Sequence, residues 1–435
     1  MVARQLARFP LWWTMWGTGV LIVPIAGWLV PRDGLPYPVV FMVPGRAGVL
    51  LWVAWGVAFG LMFGAMLGLR RAGFRTVAVA QLCAGLFVAT FTPAAPSSDP
   101  YSYIVYGETA QRGGNPWQRI RVTTDYDAMR VAARSAEDAH FVGPSTYGPL
   151  FMLAERALVA VVPKTATARL VLIERYLATF AAVGVTLLVR GPRIAFWGLH
   201  PLVLFLFPVA AHNDVLMLLL LAASLRIRNA FFSGVALGAA AAVKLVAIGA
   251  LVFRPKRMIV QGIGAALTIG ALLVLQPKAA TLGPLLHVSM HSGYGGGSVI
   301  FVAEKFLTAL HLADPKLTAQ LLLLGTLLLV LYRVRRRWSR RDASLYGVLI
   351  LLGLSPFVWI NYVSWALFPA LWASRPIRGV ALTLSGAAWI LNLGIFTASR
   401  PHGTTVILWI CVAFAALYFL GVPRLRRTHR RPAFA

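Results

Sequence analysis

The sequence predicts an all-α, polytopic integral membrane protein of about 12 to 14 transmembrane helices. Three observations carry that reading: long charge-free runs recur along the chain, only 12% of its 435 residues are charged, and the basic residues cluster between the runs. A soluble domain carries about 25% charged residues. The runs 48–69, 258–276, 343–374, 379–399 and 403–423 each reach the roughly 20 apolar residues that span a bilayer core. Only helices and closed barrels satisfy their backbone in lipid. Runs this continuous lack the alternation of a barrel strand.

The net charge of +28 would suggest nucleic acid in a soluble protein. Here the Arg and Lys residues fall at 70–75, 254–257, 333–341 and 424–431, between apolar runs. That is the positive-inside pattern, and an anionic membrane surface is its natural partner. No nucleic-acid role is expected. Cys83 and Cys411 lie inside apolar runs and form neither a disulfide framework nor a metal motif.

The basic clusters also assign sides. Arg4 and Arg8 precede the first run and place the N-terminus in the cytoplasm. That run lacks a small-x-small cleavage site, so it reads as a retained helix over about 11–30 rather than a signal peptide. Helices over about 48–69 and 76–95 follow, so the segment 97–147 falls outside as a large loop carrying interfacial helices. It holds Asp99, Glu108, Asp125, Asp127, Glu137 and Asp138 out of thirteen acidic residues in the chain. Counting 147–163 as a span would put the clusters at 190–193 and 226–228 on the wrong sides, so it reads as an interfacial or re-entrant helix. The run 170–189 goes in, 194–211 comes out, and 215–225 is a short helix returning. The segment 229–253, with Lys244 inside it, fits two half-helices meeting near the outer side, the alternative being a single span with a reversed downstream topology. A second external loop region is expected over 277–315 and a basic cytoplasmic tail over 424–435, all within a single membrane domain, 1–435.

The chemistry concentrates in "SSDPYSYIVYGETAQRGGNPW", 97–117. An aspartate before proline is ordinarily a turn residue. Yet Asp99 sits just past an apolar helix, where a carboxylate meets both water and a lipid surface and suits a general base acting on a hydroxyl. Tyr101, Tyr103, Tyr106 and Trp117 are interface aromatics whose faces also stack on sugar rings. Glu108 and Asn115 complete the polar set, Asn115 in a turn with Pro116. Further along, His212, Asn213 and Asp214 separate two apolar runs. Asn213 or Asp214 would serve as a helix cap, and a rim acid is equally a functional candidate. Lys244 is flanked by 239–243 and 245–251, all apolar, and needs a partner, for which a phosphate, Asp214 or Glu174 qualifies. Arg175 beside Glu174 reads as a structural pair. His212, His287 and His291 show no metal-ligand spacing, so no metal site or cofactor is assigned, and a divalent ion stays open.

"SSDPYSYIVYGETAQRGGNPW", "TYGPLF" (146–151), "HNDVLM" (212–217), "AAVKLVAIGAL" (241–251) and "SPFVWINYVSWALFPAL" (355–371) occur in that order. Together they resemble the GT-C superfamily of polyprenyl-phosphate-sugar-dependent glycosyltransferases, closest to bacterial polyprenol-phosphate-mannose-dependent α-mannosyltransferases. The resemblance covers about residues 90–375. It implies an inverting transferase with Asp99 as the catalytic acid of the first external loop. The donor would be a polyprenyl-phosphate sugar, the acceptor a glycan or glycolipid, and the location the cytoplasmic membrane with its site facing outward. Tyr147, His212, Asn213, Asp214, Lys244 and Tyr362 would line the substrate site, with Lys244, Arg112 or Arg400 at the phosphate. This chain has Asn361-Tyr362 where many relatives carry Trp-Tyr, and Ser97 and Ser98 where many carry a second acid. A lipid-linked-sugar flippase or secondary transporter, and a non-catalytic assembly subunit, are the rival classes.

Overall fold

In the computed structural model the described residues are 9–29, 45–94, 96–122, 127–134, 140–163, 166–191, 193–253, 257–280 and 360–374, with single positions or short stretches between 318 and 386. The regions 281–317 and 387–435 lie outside them, and with them Arg400, the glycine-rich stretch 287–297 and the C-terminal tail. Among the described residues the chain is all-α. Its two strands, β1 (Ile120–Arg121) and β2 (Phe141–Val142), form one antiparallel ladder of two residue pairs.

Four helices are long and apolar enough to cross a bilayer: the one ending at Gly68, Phe74–Phe91, Thr167–Val189 and Met258–Leu275. Helix α1 (Phe9–Gly27) and α2 (Gly45–Gly68) pack as an antiparallel hairpin. Gly19 faces the Ala58 carbonyl and Met62, while Gly68 faces the Trp12 ring. Small residues let membrane helices approach closely where no hydrophobic effect drives them together. Helix α3 (Phe74–Phe91) delivers the chain to residue 99.

The segment expected as an external loop is largely folded. Helix α4 (Asp99–Gln111) has Pro100 at its first turn and most of its residues buried, among them Tyr101, Tyr103 and Tyr106. Proline is pre-organised for that position because its missing N–H is unpaired there anyway. A short amphipathic helix, α5 (Asp127–Arg134), packs on α4. Helix α6 (Pro149–Val161) follows, and Gly107 of α4 meets the Glu155 carbonyl of α6 so closely that a Cβ would lie 2.7 Å from it. Helix α7 (Thr167–Val189) is the best-enclosed span.

The run 194–211 is not the single span its composition suggests. It breaks into α8 (Ala195–Gly198), α9 (Pro201–Leu204) and one π-turn over Phe205–Val209 containing Pro208. Proline inside a helix removes a hydrogen bond and clashes with the preceding turn, and the wider π-turn absorbs that. The chain then bends by 115° into α10 (Asp214–Arg226).

Helix α11 (Ala230–Ala241) ends just before Lys244, and a nine-residue 3-10 segment, Leu245–Phe253, follows. Gly234 packs on Gln261 and Gly238 on Ala265, both on α12 (Met258–Leu275). Contacts in the same order mean that α11 and α12 run parallel, so the 3-10 segment returns the chain and Lys244 sits at the tip of a hairpin. Polar contacts reinforce the base of that hairpin: Gln261 Nε2 donates to Ser233 Oγ at 2.7 Å, and Ser233 bonds Ser224 of α10. Helix α13 (Ile360–Ala370) packs on α10.

The parallel α11–α12 contact makes a prediction. A Cβ on Gly238 would lie 2.6 Å from the Ala265 carbonyl, a backbone atom that has no rotamer to yield. Gly238→Leu should cost about 1–3 kcal/mol by overpacking. It should be read as a lower melting temperature of the detergent-solubilised protein.

Candidate functional site

Asp99, Tyr103, Tyr147, His212, Asp214, Lys244 and Tyr362 come together although they span most of the described chain. The approach to Asp99 is held from behind by Arg175 of α7, which is fully buried. Its guanidinium donates to the carbonyls of Ala89 (3.3 Å), Thr92 (2.7 Å) and Ala94 (3.0 Å). Those carbonyls include ones left over where α3 ends. Glu174, read as a partner for Arg175 or Lys244, lies beside Glu155 of α6. Arg175 thus fixes the chain that enters α4.

Asp99 occupies the first turn of α4, where the helix dipole favours an anion. Its side chain keeps 32% exposure, while that of His212 keeps 9%. His212 Nδ1 lies 2.9 Å from Asp99 Oδ2. The hydroxyls of Tyr103 and Tyr147 approach the same oxygen at 3.4 Å each. Burial pushes the Asp99 carboxyl up, but His212, Lys244 and the Ser97 hydroxyl together outweigh burial and hold it below its ordinary value. The Tyr103, Tyr106 and Tyr147 hydroxyls are pushed upward, by burial first and by the nearby Asp99 carboxylate as well. All three therefore remain protonated, and those of Tyr103 and Tyr147 donate to an ionised carboxylate.

The chain presents His212 by a strained turn. After the π-turn, Ala211 adopts φ 53°, a left-handed conformation that costs an L-residue with a Cβ roughly 1–2 kcal/mol. Strain of this kind and π-turns both collect at functional sites. Asn213 follows at the helix N-cap, yet its side chain makes no capping bond. Its backbone N–H donates to the Tyr103 hydroxyl at 3.4 Å. Its side-chain amide is buried, and neither polar atom has a hydrogen-bond partner among the described residues.

Lys244 is answered by Asp214. Its Nζ donates to Asp214 Oδ1 at 2.7 Å, with the aspartate side chain fully buried. Trp365 Nε1 donates to the same oxygen at 2.6 Å. The ammonium also lies 5.0 Å from the Tyr362 ring centroid and 5.5 Å from each of Tyr147 and Trp365. Aromatic faces attract a cation through their quadrupole, so three rings and one carboxylate hold this charge in place. Trp365 stacks on Tyr362, with centroids 4.4 Å apart. It is missing from the site residues read from sequence, although it lies in the quoted segment 355–371. An interface tryptophan carries no signal of its own there, and only its spacing of three from Tyr362 places both on one helix face.

Tyr147 joins the two clusters. Its hydroxyl reaches Asp99, its ring lies beside Lys244, and its carbonyl accepts from Trp117 Nε1 at 2.8 Å. Gly148 then docks directly on the hairpin tip. Its N–H donates to the Val243 carbonyl at 3.0 Å, and any Cβ would lie 2.3 Å from the Ala242 oxygen. The glycine of the Tyr-Gly-Pro segment is thus required by close approach of two backbones.

The remaining residues serve at the periphery. Tyr106 donates to the Gly143 carbonyl at 2.9 Å. Tyr101 is enclosed in the apolar core. Glu108 is buried and pairs with the exposed Arg112 at 2.7 Å. Asn115 Oδ1 caps the Trp117 N–H in a turn at 3.0 Å. Among the described residues no three His, Cys, Asp or Glu side chains gather as a metal-ligand group.

Removing one member of the Lys244–Asp214 pair leaves a buried charge uncompensated, which costs about 3–5 kcal/mol. Lys244→Met should therefore lower the melting temperature of the detergent-solubilised protein strongly. Adding Asp214→Leu should recover most of that loss. A double variant as unstable as the single one would show that the pair is not what holds these elements.

The family described as alpha-(1->6)-mannopyranosyltransferase, N-terminal domain, matches this chain over residues 14–259, more than half its length. No curated protein and no solved structure matches it.

Proposed function

The chain belongs to the alpha-(1->6)-mannopyranosyltransferase family, and from that premise we propose that it moves mannose from a polyprenyl-phosphate donor to a glycan or glycolipid acceptor. The family supports mannosyl transfer as its chemistry, and the apolar spans make it a membrane protein. The proposal adds the lipid donor, inversion at the anomeric carbon, and a site at the outer face of the cytoplasmic membrane.

The observation that carries the proposal is the Asp99 carboxylate, one-third exposed and ringed by protonated donors. An anion held this way, paired with an imidazole, suits removal of a proton from an acceptor hydroxyl as that oxygen attacks. The Asp99–His212 pair is the acid–base unit of the proposal. Tyr147, the half-buried ring beside Asp99, gives the sugar a face, the buried Tyr103, Tyr106 and Trp117 back it, and the unsatisfied Asn213 amide offers a donor and an acceptor to sugar hydroxyls. Lys244 uses one of its three N–H donors on Asp214 and contributes positive potential for the departing phosphate. A lipid-linked donor explains why the site needs no nucleotide-binding fold. The paired half-helices around Lys244 also suit a transporter, which would move substrate across proteoliposomes without making a glycosidic bond.

Purified protein incubated with radiolabelled polyprenyl-phosphate mannose and membrane glycolipid acceptors should transfer label. Asp99→Asn should keep donor KM and lose about 10²–10⁴-fold in kcat. Because the Asp99 carboxyl is held below its usual range, it stays ionised throughout neutral pH. Its own protonation should therefore reduce wild-type activity only in acid below the ordinary carboxylate range. Full turnover by Asp99→Asn would remove the carboxylate from the mechanism.

A further inference from the structure

The geometry points to Trp365 as a positioning residue of the transfer site, the group that fixes where the Lys244 ammonium stands for the departing phosphate; this rests on the transferase reading above. Asp214 Oδ1 accepts from two donors, Lys244 Nζ at 2.7 Å and Trp365 Nε1 at 2.6 Å. A carboxylate oxygen has two lone pairs, directed apart in the carboxylate plane. Two donors on one oxygen take one direction each, so the indole leaves the ammonium the other. Without that N–H the lysine is free to bond from either side of the oxygen, and its charge moves. The Asp214 side chain is fully buried in the first turn of α10, and close packing holds the carboxylate in one orientation.

Trp365 is itself held in place. Its half-buried ring stacks on Tyr362 of the same helix, with centroids 4.4 Å and planes 27° apart. The ammonium lies 5.5 Å from the Trp365 ring and 5.0 Å from the Tyr362 ring, so the same two side chains bound its position by their faces. Those faces supply no oxygen, and the N–H donors of Lys244 beyond the one on Asp214 are available to an anion. Asp99, His212, Asp214 and Lys244 all lie within residues 14–259, which carry the family match, whereas α13 lies beyond them. The donor that orders the Lys244–Asp214 pair thus reaches in from 151 residues away.

The consequence for the reaction follows from charge. The acceptor O–H proton passes to Asp99, and the freed oxygen pair forms the bond to the anomeric carbon. The bond from that carbon to the phosphate oxygen breaks, and its electron pair leaves on the phosphate. A sugar phosphodiester carries one negative charge, and the phosphate that leaves carries two. The second charge arises only as the bond breaks, so a cation aimed at that oxygen acts more on kcat than on donor KM. A displacement of roughly 1 Å at such a group costs about 10²-fold. The Trp365 N–H acts on this step through Asp214 and Lys244.

Trp365→Phe removes the N–H and keeps an aromatic face beside Tyr362 and Lys244. In the transfer assay it should lose about 10–10²-fold in kcat, with donor KM within about threefold of wild type. A second variant, with benzothienylalanine in place of Trp365, keeps the shape of the indole and puts sulfur where the N–H was. It should lose kcat to the same extent at an unchanged melting temperature, which separates the hydrogen bond from packing. Wild-type kcat in the benzothienylalanine protein would overturn the inference, because the ring alone would then suffice. A raised donor KM at wild-type kcat would overturn it too, since the contact would act on ground-state binding. A readout independent of turnover is the ¹H–¹⁵N signal of the Trp365 indole, identified by its loss in Trp365→Phe. It should lie downfield, as an N–H on a carboxylate does, and move upfield when Asp214→Leu is combined with Lys244→Met. A signal indifferent to that change would show that the indole does not bond Asp214, and would overturn the inference. Wild-type protein that transfers no label would remove the transferase reading and this role with it, whereas an active wild type with silent Trp365 variants removes only the role of Trp365.

Discussion

The buried pair between Lys244 and Asp214 is the contact on which the rest of the site depends. Each charge alone in an apolar interior would carry a desolvation penalty of several kcal/mol. Together, with Trp365 donating to the same carboxylate oxygen and three rings around the ammonium, they are compensated. The pair brings the hairpin tip beyond α11, the start of α10 and the face of α13 to one point. Tyr147 extends that point to Asp99. A buried ion pair is weak evidence for stability as such, but here it specifies where two interrupted helices stop.

Both interruptions have identifiable causes. Pro208 cannot continue an ordinary helix, so the chain widens into a π-turn and passes through the strained Ala211 before α10 begins. Beyond α11 the chain turns back at Lys244, where Gly148 of the neighbouring segment bonds the Val243 carbonyl. Free backbone groups are tolerable in a membrane protein only where they are buried in protein or line a cavity. The tip is closed by two hydrogen bonds, from Gly148 to Val243 and from Leu150 to Ala242. Irregular backbone and the candidate site's side chains occur together because a regular helix would carry His212 and Lys244 past Asp99 and Asp214.

Asp99 shows how the electrostatics are divided. Its exposure is intermediate and its burial unfavourable to charge, yet histidine, lysine and hydroxyl donors reverse that effect. Arg175, on the other side of the same segment, spends its charge on three backbone carbonyls. One cation thus shapes the chain leading to the carboxylate, while the others act on its charge. The buried amide of Asn213 has no hydrogen-bond partner among the described residues, and a polyol substrate offers what it lacks.

Much of this was legible in the chain. The long apolar runs dictate helices, since a backbone in lipid must bond to itself. Residues that bear charge or hydroxyls inside such runs stand out because burying them is costly. Asp99, Tyr147, His212, Asp214 and Lys244 could be named for that reason. Sequence alone left open which partner satisfied Lys244, since Asp214, Glu174 and a phosphate all meet its charge. It also gave no sign that Arg175 would turn to carbonyls, that Trp365 would complete the cage, that residues 99–111 would form a buried helix, or that 194–211 would break. Those outcomes depend on distances between segments far apart in the chain, on backbone approaches such as Gly148 to Ala242, and on where a bent helix points its next residue. Local composition specifies which groups must find partners, and only the packed helices decide which partners they find.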